Sequence, residues 1–69
     1  MHPSDVITVS KIGVNIEISK DSSLHSSDAL EVVRVVTGRG NHVTIKKAYH
    51  SSDLIEMAEI GRNNITIVV

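Results

Sequence analysis

A four-residue motif returns along this short chain. His25-Ser26-Ser27-Asp28 recurs unchanged as His50-Ser51-Ser52-Asp53, and His2-Pro3-Ser4-Asp5 opens the sequence in a looser form. The three histidines start segments 23 and 25 residues apart. The residues after each motif stay in step. Ala29-Leu30-Glu31-Val32-Val33-Arg34-Val35 aligns with Leu54-Ile55-Glu56-Met57-Ala58-Glu59-Ile60, and Val43-Thr44-Ile45 with Ile65-Thr66-Ile67. The first copy is weaker: Val6-Ile7-Thr8-Val9-Ser10-Lys11-Ile12-Gly13, then Asn15-Ile16-Glu17-Ile18. A period of this length marks a supersecondary unit that buries its apolar face only against its neighbours. With 69 residues the chain is one domain. Its units run about 2–24, 25–49 and 50–69.

Each unit reads as a short helix followed by a short strand. Ser and Asp oxygens at the helix start can accept the unpaired N–H groups of the first turn, and the Asp charge suits the positive helix end. Asp28-x-x-Glu31 and Asp53-x-x-Glu56 resemble a capping box with Asp as the cap. Gly13, Gly38 and Gly61 stand where each helix should stop. The strands alternate: Ile16 and Ile18, Val43 and Ile45, Ile65 and Ile67 point one way, with polar residues between. Helices should therefore cover one face of the sheet and leave the other polar. Strand, helix, strand in succession requires parallel pairing with right-handed crossovers. The expected fold is α/β, a two-layer αβαβαβ domain with a three-stranded parallel sheet. The alternative is ββαβαβ, because Val6-Ile7-Thr8-Val9 is β-branched throughout and could form an N-terminal hairpin from Val6 to Ile18.

The last unit, Ser52-Asp53-Leu54-Ile55-Glu56-Met57-Ala58-Glu59-Ile60-Gly61, resembles the Ser-x-Asp-Leu-x-x-Ile-Ala-x-x-Gly-x-x-Val-Thr repeats of uncharacterised bacterial proteins. The resemblance extends loosely over nearly the whole chain and implies no known activity. The Leu-x-x-Leu-x-Leu-x-x-Asn pattern of leucine-rich repeats is absent.

The core expected for one such chain is small. A domain of this size buries only about 60% of the surface its unfolded chain exposes. Val32, Val33, Val35 and Val36 cannot all face one sheet at about 100° per residue. Leu54, Ile55, Met57, Ala58 and Ile60 raise the same difficulty. There is no Cys and hence no disulfide. These features predict a homo-oligomer, most simply a two-fold dimer, and leave room for an unknown protein partner; the alternative is a monomer whose helices contact each other as well as the sheet. One aromatic residue, Tyr49, and a net charge of −1 argue against nucleic acid. No apolar run of about 18 residues is present to span a membrane. The lack of a signal peptide and of cysteine suggests the cytoplasm.

Candidate chemistry centres on His2, His25 and His50, which occupy the same place in each unit. If the units stack at the strand spacing of about 4.8 Å, imidazoles would gather on the edge where α/β domains bind ligands. Three His ligands suit zinc, but the positive helix ends there repel a cation. The bland reading is that each His serves its helix start. The same edge, with hydroxyls of Ser4, Ser26, Ser27, Ser51 and Ser52, could take an anion, opposed by Asp5, Asp28 and Asp53. Gly38-Arg39-Gly40-Asn41 comes after a helix and before a strand, the wrong order for a dinucleotide fingerprint, and reads as a turn. Lys46-Lys47 with His42 make a small basic spot beside Glu17. No triad or cofactor motif is evident. The chain is therefore expected to be a non-catalytic, self-associating interaction module without a cofactor. The alternative is a ligand- or metal-binding protein that uses the helix-start edge near His25 and His50.

Overall fold

A computed structural model describes all 69 residues. Helix α1 (Pro3–Ile12) leads to strand β1 (Ile16–Ile18), α2 (Ser26–Gly38) to β2 (Val43–Ile45), and α3 (Ser51–Gly61) to β3 (Ile65–Ile67). A single 3-10 turn, Arg62–Asn64, joins α3 to β3. The strands pair in parallel in the order β1-β2-β3. The fold is thus αβαβαβ with a three-stranded parallel sheet. The alternating isoleucines and valines are in register: Ile16 opposite Val43 opposite Ile65, and Ile18 opposite Ile45 opposite Ile67.

The first segment is helical and forms no hairpin. Three local devices outweigh its β-branched run. Pro3 occupies the first turn, where its missing N–H costs nothing. His2 caps the helix. Gly13 closes it in the left-handed conformation at φ 96°. The helix then packs along α2, so tertiary contact overrides weak propensity.

Helices α1, α2 and α3 lie side by side, with α2 between the other two. The middle position resolves the crowding expected of its valines. Val32, Val33 and Val36 are all fully buried, because α2 meets the sheet and a helix on either flank. Ile18, Val43 and Ile45 complete the core from the sheet, and Leu24 and Met57 close it at the loops and α3. The opposite sheet face is polar. Glu17 and Lys46 form an ion pair across it at 3.2 Å, and His42 Nε2 bonds Thr66 Oγ1 at 2.8 Å.

Two of the expected helix stops are corrected. Helix α2 includes Gly38, and the left-handed residue beyond it is Gly40 at φ 79°. Helix α3 includes Gly61, whose φ of −81° is right-handed helical. The left-handed turn falls instead on Arg62, at φ 51°. Gly61 is required for space: a Cβ there would lie 2.7 Å from Ile65 Cβ. The turn reading of Gly38-Arg39-Gly40-Asn41 holds, with the Arg39, Gly40 and Asn41 amides donating back to carbonyls of Val35, Val36 and Thr37.

Candidate functional site

The three repeated histidines occupy the N-cap positions of the three helices. This corrects the expectation that Ser or Asp supplies the cap. Nδ1 of His2 accepts from the Ser4 amide at 3.2 Å and bonds the Ser4 hydroxyl at 2.7 Å. His50 repeats the arrangement with Ser52, at 3.3 Å to the amide and 2.9 Å to the hydroxyl. An imidazole Nδ1 lies about as far from its backbone as an Asn side-chain oxygen. It can therefore satisfy an unpaired first-turn amide in the same way. Accepting there requires Nδ1 to be unprotonated. His25 holds the cap position without a side-chain bond. Asp5, Asp28 and Asp53 each lie three residues beyond the capping histidine, in the first turn, where their charge meets the positive helix end. Asp28 is therefore not the cap of a capping box with Glu31.

The helix starts also set how far apart the imidazoles lie. Packed helix axes are separated by about 8–10 Å, roughly twice the strand spacing of about 4.8 Å. Histidines that begin helices therefore do not stack as residues on adjacent strands would. His25 and His50 line one shallow hollow of about 350 Å³, and His2 does not take part in it. No group of three or more His, Asp or Glu side chains converges closely enough to share a metal ion.

The hollow is held by a residue whose role the sequence did not disclose. The Tyr49 hydroxyl donates to the Leu24 carbonyl at 2.7 Å, joining the β1–α2 loop to the β2–α3 loop. Burial pushes the Tyr49 hydroxyl above its ordinary value of 10.0, and the negative charge of Asp28 adds to the shift. Lys47 lies over the Tyr49 ring, its Nζ 5.9 Å from the centroid. Lys46 instead joins Glu17 on the polar sheet face, so the two adjacent lysines do not form one basic spot. The Ser–His contacts are cap bonds within one turn. No carboxylate bonds the far nitrogen of either ring to orient it as a base.

A second concavity opens at the front of the stack, between α1 and β1. It measures about 470 Å³ and is lined on its apolar side by Met1, Val6, Val9, Ile16, Ile18 and Leu24. At the opposite end, α3 exposes Ile55 to 61%. No helix is long and apolar enough to cross a membrane. Comparison with protein-family models, with curated proteins and with solved structures finds no match.

Proposed function

We propose that this chain is a small, non-catalytic interaction module that associates with copies of itself and offers its polar sheet face to a partner. The observation that carries the reading is a change in burial between equivalent helix positions. Counted from the three histidine caps, Ser10, Val33 and Ala58 occupy the same place. Ser10 and Val33 are completely buried, whereas Ala58 is exposed. Ile7, Leu30 and Ile55 share a second place. The first two are partly buried against the core, and Ile55 is exposed. Helices α1 and α2 each have a further helix on that flank, and α3 has none. Ile55 and Ala58 are three residues apart and so lie together on one helix face. An apolar surface that is interior elsewhere in the same chain is suited to meet another copy.

Light scattering across a concentration series tests this. The expected result is a mean mass that rises with concentration in the wild-type protein and falls toward the single chain in Ile55→Lys. A mass equal to one chain at every concentration overturns the proposal.

A second reading places a ligand in the hollow between the α2 and α3 starts. It is favoured by the convergence there of His25, His50, Lys47 and Tyr49. Zinc and inorganic phosphate, titrated separately, should then shift the imidazole NMR signals of His25 and His50 at a saturable stoichiometry. Unchanged signals with both probes would remove this reading.

A further inference from the structure

The two ends of the stack carry the two halves of the contact that already joins its units. Inside the chain, each strand binds the next by a fixed pattern. Ile16 donates its N–H to His42, and Ile18 accepts from Lys46. The backbone groups of Ile16 and Ile18 thus point downstream toward β2, and those of Glu17 between them point to the open upstream edge. The pattern is the same one strand later. Ile45 accepts from Val68, so Val43 and Ile45 point downstream toward β3. By the same alternation, the N–H and C=O groups of Ile65 and Ile67 point to the open downstream edge.

The side chains obey the same polarity. Val9, Val32 and Met57 are equivalent by their caps. The second and third are fully buried, while Val9, with no helix before it, is only partly buried and lines the front cleft. At the other end, Ile55 and Ala58 are exposed on the flank where their counterparts in α1 and α2 are partly buried (Ile7, Leu30) or fully buried (Ser10, Val33). The upstream end therefore offers a cleft and an unpaired Glu17 backbone. The downstream end offers an apolar helix flank and unpaired Ile65 and Ile67 backbones.

We infer that copies of this chain associate head to tail, with β3 of one copy pairing in parallel with β1 of the next, Ile65 opposite Ile16 and Ile67 opposite Ile18. This rests on the reading of the chain as a self-associating module and specifies its geometry. The contact is heterologous, so each copy keeps one free front and one free back, and growth remains open. It departs from the simple two-fold dimer, in which the same patch would meet itself.

Complementation between end-blocked variants tests the geometry. Glu17→Pro removes the outward N–H of the front edge, a position where proline is tolerated in a strand. Ala58→Arg places a charged side chain on the exposed back flank. Each folded variant should be monomeric alone, because each lacks one half of the contact. Mixed in equal amounts, they should form a one-to-one dimer that grows no further, since the back of one and the front of the other remain intact. If Glu17→Pro loses its circular dichroism signal, Val9→Arg blocks the cleft without altering the strand backbone. Wild-type protein that associates, with one variant still dimeric alone and no gain on mixing, overturns the head-to-tail geometry and leaves self-association standing. Wild-type protein that stays monomeric overturns both.

Discussion

The α-carbon of Gly61 sits so close to Ile65 that a Cβ on it would lie 2.7 Å from Ile65 Cβ. Cβ atoms do not approach so nearly, and the atom met is the branched root of a side chain, which cannot swing aside. Gly38 likewise is the last residue of its helix, α2, yet a Cβ there would meet nothing within 4 Å. The two substitutions should therefore act with opposite sign. Gly61→Ala should destabilise by about 1–3 kcal/mol through overpacking. Gly38→Ala, in a helix that gains propensity, should stabilise by about 0.5 kcal/mol. Urea unfolding of the pair measures both.

Arg62 turns the chain out of α3 with φ 51° and ψ −111°, a region open to glycine and strained for any other residue. Arg62→Gly should raise stability by about 1 kcal/mol, partly offset by the greater freedom of glycine in the unfolded chain. A higher urea midpoint with an unchanged slope would show this.

Tyr49 ties two loops through its bond to the Leu24 carbonyl. Tyr49→Phe leaves that partly buried carbonyl without its phenol partner and should cost about 1 kcal/mol. The same group sets a pH response. Its folded value lies above the ordinary 10.0, chiefly because burial disfavours the phenolate and secondarily because Asp28 is negative. The folded state thus favours the neutral phenol. The corresponding stability is fully present below pH 10.0 and is lost as pH rises through the folded value. Spectroscopic titration should find Tyr49 ionising later in the folded chain than in urea, and Tyr49→Phe should flatten the alkaline loss of stability.

The histidine caps differ in use, and substitution should separate them. His50→Ala removes an acceptor from the Ser52 amide and should cost about 0.5 kcal/mol, at the low end for a lost cap. His25 accepts nothing at its own helix start, so His25→Ala should leave the unfolding midpoint within error. Equal losses at both positions would contradict the cap assignment.

Much of the architecture is legible in the sequence because it depends on periodicity. Alternation at Ile16/Ile18, Val43/Ile45 and Ile65/Ile67 marks the three strands, and the intervening helices dictate the parallel topology. The helix ends are less legible, since glycine serves two purposes that composition does not separate. Gly40 is chosen for its backbone angle and Gly61 for the space beside Ile65. That each His serves its helix start is readable from its repeated place, but not that it is the cap itself, because Ser and Asp are the commoner caps; that His2 and His50 reach an amide depends on ring orientation. Tyr49 and Leu24 are 25 residues apart and meet only after both loops fold back to one end of the sheet. The crowding of apolar residues on α2 is explained by its central place between two helices. The same crowding on α3 persists at its open flank, in Ile55.

Native mass spectrometry of the unmodified chain over a range of concentrations reads self-association without a label or a substitution. The expected spectrum is a ladder of whole multiples of the chain mass whose longer members grow with concentration. A single species of one chain mass throughout would contradict self-association, and a series that stops at the dimer would contradict head-to-tail growth.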